Sequence, residues 1–154
     1  DEVISKPIII IGLPRSGTTH LLNLIASDSR LKSIPYWQSL RPFQEKLLDL
    51  NNDCIISLGG GTPCYGNNME LIKNNSKSFY LKASINTIFE RLKNETSERP
   101  LVATIGVENL KEYIAKHLFE RNLFYQKAKY TISVNDKTIE EIANEISLKL
   151  RTSF

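Results

Sequence analysis

Pro7-Ile8-Ile9-Ile10-Ile11 runs straight into Gly12-Leu13-Pro14-Arg15-Ser16-Gly17-Thr18-Thr19, and this junction restricts the fold more than any other stretch. A continuous β-branched run closed by glycine reads as a strand buried on both faces. Such a strand needs helices above and below it, and so parallel neighbours reached by crossover connections. The next residues meet that demand. From Thr18 the pattern turns helical, with Leu21, Leu22, Leu24 and Ile25 on one face and an end near Ser27-Asp28.

The alternation continues along the chain. Residues 32–36 read as a short strand, confined to an edge or an end by Pro35. Residues 44–50 read as a helix, and 54–58 as a strand ending in Gly59-Gly60-Gly61. A short helix follows over 67–74, then a strand over 78–82. Residues 84–94 are helical, with Ile85, Ile88, Phe89 and Leu92 at helical spacing. The polar stretch 95–106 carries Pro100, has no period and reads as a loop. An amphipathic helix is predicted over 107–120, a strand over 130–134, and a last helix over 137–149 that buries Ile139, Ile142, Ile146 and Leu150. The fold class is α/β, a three-layer arrangement with a mostly parallel sheet, in a single domain over residues 1–154. That length buries a core without disulfides or metals.

Composition excludes several function classes. A net charge of +3, with Lys and Arg spread along the chain, gives no nucleic-acid-binding stripe. The run Ile8–Ile11 is far too short to span a bilayer, and no basic leader precedes it as in a signal peptide. Cys54 and Cys64 have neither CxxC spacing nor a nearby His cluster, so they read as reduced thiols of a cytoplasmic protein. The chain opens on Asp1 rather than Met, so its first residue is not read as the natural start.

The segment Gly12–Thr19 lies between a strand and a helix, which is the context an anion-binding loop needs. Glycines let successive N–H groups turn inward, and the helix N-terminus adds its positive end. The Gly-x4-Gly spacing is that of a Walker A loop, with Thr18 where that motif has Lys and Thr19 where it has its Mg²⁺-binding hydroxyl. Gly12, Pro14, Arg15, Ser16, Gly17, Thr18 and Thr19 are therefore the candidate phosphate-binding residues, with Thr19 as the metal ligand. A plain Gly-Pro turn before a helix is the alternative.

Two resemblances follow. Residues 7–43, with Pro14-Arg15-Ser16-Gly17-Thr18-Thr19-His20 and then Pro35-Tyr36-Trp37-Gln38, resemble the opening of the bacterial sulfotransferase family. That likeness implies 3′-phosphoadenosine 5′-phosphosulfate as ligand, with Arg15 as the loop's cation. It stops near residue 43. From about residue 44 the chain resembles shikimate kinase, through four landmarks in order. These are Ile55-Ile56-Ser57-Leu58-Gly59-Gly60-Gly61-Thr62-Pro63, then Phe79-Tyr80-Leu81-Lys82-Ala83-Ser84, then Arg91 with Glu98-Arg99-Pro100-Leu101, then Leu118-Phe119-Glu120-Arg121 with Tyr125 and Ala128.

That resemblance implies ATP with Mg²⁺ as phosphoryl donor, shikimate as acceptor and a monomeric enzyme. Gly59, Gly60, Gly61 and Arg121 would hold the acceptor, Arg121 by a two-pronged grip on its carboxylate. Arg91 would lie over the adenine, and Arg99 would close as a lid cation on the transferring phosphoryl group. Arg15 and Arg99 are the candidate catalytic cations. Arg91 as a plain surface charge and the glycine triplet as a plain turn are the alternatives. Shikimate kinases also carry Asp-x-Asp after the second strand and an Arg before the glycine triplet. Residues 31–43 hold no acidic residue, and the interval before the triplet is short for that subdomain. The chain thus reads as two phosphate-loop families joined near residues 43–45. A natural fusion, an assembly artefact or a design would each give that pattern. The expected activity is an impaired shikimate phosphorylation, with sulfotransfer or catalytically inactive anion binding as alternatives.

Overall fold

A computed structural model describes residues 7–25, 32–33, 54–93 and 104–152. The elements in chain order are β1 (Ile8–Ile11), α1 (Thr18–Ile25), β2 (Lys32–Ser33), β3 (Cys54–Ser57), α2 (Asn68–Asn75), β4 (Lys77–Lys82), α3 (Ile85–Leu92), α4 (Val107–Tyr125), β5 (Tyr130–Ser133) and α5 (Ile139–Arg151). The strands form one parallel sheet in the order β2-β3-β1-β4-β5. The isoleucine run takes the centre, with Ile8 paired to both Ile55 and Lys77, and all four isoleucines are buried. Burial on both faces is what the unbroken apolar run required.

Local signals set several boundaries. Ser84 caps α3 by accepting from Thr87 N, and Thr138 opens α5 through a reciprocal capping box with Glu141. Helix α4 runs to Tyr125, five residues beyond the expected end, because the buried face continues from Leu110 and Ile114 through Leu118 to Tyr125. Two expected core positions are corrected. Leu24 and Ile139 are each 38% exposed; on their helices the core is filled by Leu21 and by Ile142 and Ile146. Of the expected strand over 32–36, only Lys32–Ser33 is described, and the expected helix over 44–50 lies outside the described residues.

Candidate functional site

The loop after β1 and the glycine triplet after β3 leave the same edge of the sheet, because their strands are parallel neighbours. This is the carboxyl edge, where open α/β sheets bind ligands. Leu58 N donates to Ile10 O at 3.0 Å, which fixes the start of the triplet against β1.

The phosphate loop is shaped by three backbone demands. A Cβ on Gly12 would collide with the Ser16 hydroxyl and come within 3.1 Å of Leu81 O, so only glycine fits. Gly17 has φ +99°, and Arg15, with φ +68°, holds the same left-handed region at a cost of about 1–2 kcal/mol. Arg91 from α3 offsets part of that cost by donating from Nη1 to Arg15 O at 2.8 Å. Ser16 is buried, and its hydroxyl has no hydrogen-bond partner among the described residues. A buried hydroxyl beside a helix N-terminus matches the donors an anionic oxygen requires. Thr18 and Thr19 open α1, with Thr19 exposed.

Beside this loop lies a cavity of about 270 Å³, lined by Arg15, Ser16, Arg91, Lys137 and Ile139 among others. This explains the exposure of Ile139: it walls the cavity instead of filling the core. The segments that supply Arg91 and Lys137 are tied together by one amide oxygen, since Asn135 Oδ1 accepts from Ser84 N at 2.8 Å and from Thr87 Oγ1 at 2.9 Å. Lys137 is paired with Glu145 at 2.6 Å. Asn135 and Lys137 escaped sequence reasoning, because nothing local in Asn-Asp-Lys-Thr marks a contact with residues some fifty positions earlier.

The triplet forms a second cluster. Tyr125 donates its hydroxyl to Gly60 O at 2.5 Å. A Cβ on Gly60 would stand 3.1 Å from Tyr125 Oη and from Gly12 O, and 3.2 Å from Arg121 Nη1, so the three groups close around it. Burial raises the Tyr125 hydroxyl to about 12; the neighbouring Cys64 adds to the rise and Arg121 opposes it. Burial also raises the Cys64 thiol, against the pull of Arg121. Arg121 thus stands beside the triplet, one turn before Tyr125 on α4. A further cavity of about 200 Å³ adjoins it, lined by Leu13 and Pro14 of the phosphate loop, by α3, and by Tyr113, His117 and Arg121 of α4. Arg99 lies outside the described residues.

The shikimate kinase family model matches residues 42–151. The chain belongs to the shikimate kinase family. A shikimate kinase of Flavobacterium psychrophilum is 47% identical over 166 aligned positions, which cover 92% of this chain and 96% of that relative. A shikimate kinase of Flavobacterium johnsoniae is 46% identical over 102 residues, 66% of this chain but 59% of the relative. Among solved structures, shikimate kinase from Bacteroides thetaiotaomicron has a TM-score of 0.78 at 22% identity, over 95% of this chain and 98% of that one. Shikimate kinase from Acinetobacter baumannii in complex with shikimate has a TM-score of 0.74 at 20% identity, over 99% and 97%. These two share the fold.

The F. psychrophilum match bears on the expected join. Coverage of 92% cannot be reached without most of residues 1–43, so the sulfotransferase-like opening lies largely within a shikimate kinase alignment. The two-family reading finds no support in these relatives. Because 166 aligned positions meet only 92% of 154 residues, about two dozen positions of the alignment face no residue of this chain.

Proposed function

We propose that the chain binds ATP with Mg²⁺ and transfers the terminal phosphoryl group to the 3-hydroxyl of shikimate, at a rate limited by its altered phosphate loop. The observation that carries this reading is Arg121, held at the glycine triplet on the sheet edge that also bears the phosphate loop. A guanidinium at that position grips a carboxylate while the acceptor hydroxyl lies toward the loop. The likeness to the A. baumannii enzyme solved with shikimate supports the same acceptor. The buried Ser16 hydroxyl and the glycine cradle suit the phosphates, Arg15 supplies the loop's cation, and the cavity between Arg91 and Lys137 suits the base. Arg99 acts as the lid cation.

Mg²⁺ would neutralise the phosphate chain when bound. Thr19, at the start of α1, is the residue that would hold the ion, with the phosphate oxygens supplying most of its ligands. No described helix is long and apolar enough to cross a membrane. We propose a monomer acting in the cytoplasm.

Thr18 cannot neutralise charge as a loop lysine does, so turnover should fall far below the roughly 1–100 s⁻¹ of ordinary kinases. The test compares melting points with ATP·Mg²⁺, shikimate and adenosine 3′,5′-bisphosphate, since a ligand of the folded state raises them. ATP·Mg²⁺ and shikimate should each stabilise, and Thr18→Lys should tighten ATP without restoring full turnover. A shift with the bisphosphate alone would overturn the reading and favour the sulfotransferase ligand.

A further inference from the structure

We propose that His117 takes the proton of the acceptor hydroxyl during phosphoryl transfer; the inference rests on the phosphotransferase reading above. Tyr113, His117 and Arg121 succeed one another at four-residue intervals on α4, so they share one face of the helix. All three line the cavity of about 200 Å³ that Leu13 and Pro14 of the phosphate loop also line. An acceptor whose carboxylate sits on Arg121 therefore lies one helical turn from the imidazole, beside the loop that presents the phosphoryl group.

The chemistry of the lining singles out His117. Ile88 and Leu92 from α3, with Leu110 and Ile114 from α4, make the remaining walls apolar, and no Asp or Glu lines the cavity among the described residues. A guanidinium has no acceptor, and a neutral phenol is a poor base, whereas a neutral imidazole offers one lone pair. The ring is held in place. Tyr113 meets it edge-on with centroids 4.2 Å apart, and Glu120 Oε2 lies 3.6 Å from Nδ1, near enough for attraction but too long for a hydrogen bond. A carboxylate on that side favours the proton on Nδ1 and leaves Nε2 free to accept. The residues of α3 and of the phosphate loop that line the cavity are all apolar, so among the lining side chains Arg121 is the charged one and Glu120 is the carboxylate beside the ring.

In the step, the acceptor oxygen bonds to the terminal phosphorus of the nucleoside triphosphate. The bond from that phosphorus to the bridging oxygen breaks, its electron pair leaves with the diphosphate, and the hydroxyl proton passes to Nε2.

The experiment measures single-turnover phosphorylation of shikimate by ATP·Mg²⁺ as a function of pH, with shikimate binding followed by calorimetry. The unmodified chain should slow by about tenfold per pH unit on the acid side, while His117→Gln lacks that limb and is slower by about a hundredfold with shikimate affinity unchanged. His117→Asn, a second variant, should behave alike. If both variants keep the rate and the acid limb, or if shikimate binds and nothing is phosphorylated at any pH, the role of His117 is overturned and acceptor binding still stands. If the unmodified chain neither binds nor phosphorylates shikimate, both readings fall.

Discussion

Replacing Tyr125 by Phe removes one oxygen from the junction between α4 and the glycine triplet. The ring stays in place, buried and 5.1 Å from Tyr80 by centroids, so no cavity beyond the hydroxyl opens. What is lost is the 2.5 Å bond to Gly60 O, which leaves a half-buried carbonyl without that donor. Such a deletion costs about 1–3 kcal/mol near neutral pH, read as a lower urea midpoint with an unchanged slope. The pH dependence gives a second signature. Burial holds the folded hydroxyl at about 12, whereas the unfolded chain ionises near the ordinary value of 10.0. Between those values the unfolded state has released its proton and the folded state has not, so stability is fully present below 10 and is lost toward 12. The loss is at most about 2–3 kcal/mol, since each unit is worth about 1.4 kcal/mol. Phenylalanine has no such proton. The gap between the two proteins should therefore narrow as alkaline pH is approached and close near the top of that window. Equal midpoints at neutral pH, or a gap that stays constant into alkali, would refute the reasoning.

Arg15→Ala should weaken phosphate ligands about tenfold to a hundredfold, and more than Lys6→Ala, which lies before β1; calorimetry at one salt concentration makes the comparison. Gly60→Ala places a methyl against Gly12 O, Tyr125 Oη and Arg121 Nη1. It should cost about 1–3 kcal/mol of stability and weaken shikimate more than ATP, because Arg121 is the group with room to move. Equal losses for the two ligands would count against Arg121 as the acceptor's anchor.

The parts of the site that sequence revealed are those whose physics is local. The isoleucine run and Gly12 identify β1 and its loop, because an apolar run bounded by glycine has few other uses. Arg121 reached the triplet only through the resemblance, because the helix predicted over 107–120 stops short of both Arg121 and Tyr125, which its longer course places on one face. What stayed hidden depends on contacts between distant segments. Arg91 read equally as an adenine contact or a surface charge, and its bond to Arg15 O belongs to neither description. Ile139 carried the signature of a core residue, yet the wall of a cavity needs the same apolar side chain. Cys64 read as an inert thiol because nothing in its neighbourhood announces that Arg121, almost sixty residues later, comes to face it. His117 drew no attention for the same reason: a single histidine on an amphipathic helix is unremarkable until its cavity is known.

The central place of β1 has a consequence for the order of assembly. The strand that carries the phosphate loop precedes the other described strands in the chain, yet both its neighbours arrive later, β3 after residue 53 and β4 after residue 76. Until β4 docks, Gly12 lacks the Leu81 carbonyl against which it packs, and until β3 docks the triplet has no edge to leave from. Such non-local parallel pairings are slow steps, since loop closure precedes any gain from the contact. Until the chain has been made through Lys82, one edge of the four consecutive isoleucines therefore lacks its strand partner. During synthesis the strand that leads into this loop is a hydrophobic liability, which chaperones or rapid elongation through β4 must shield.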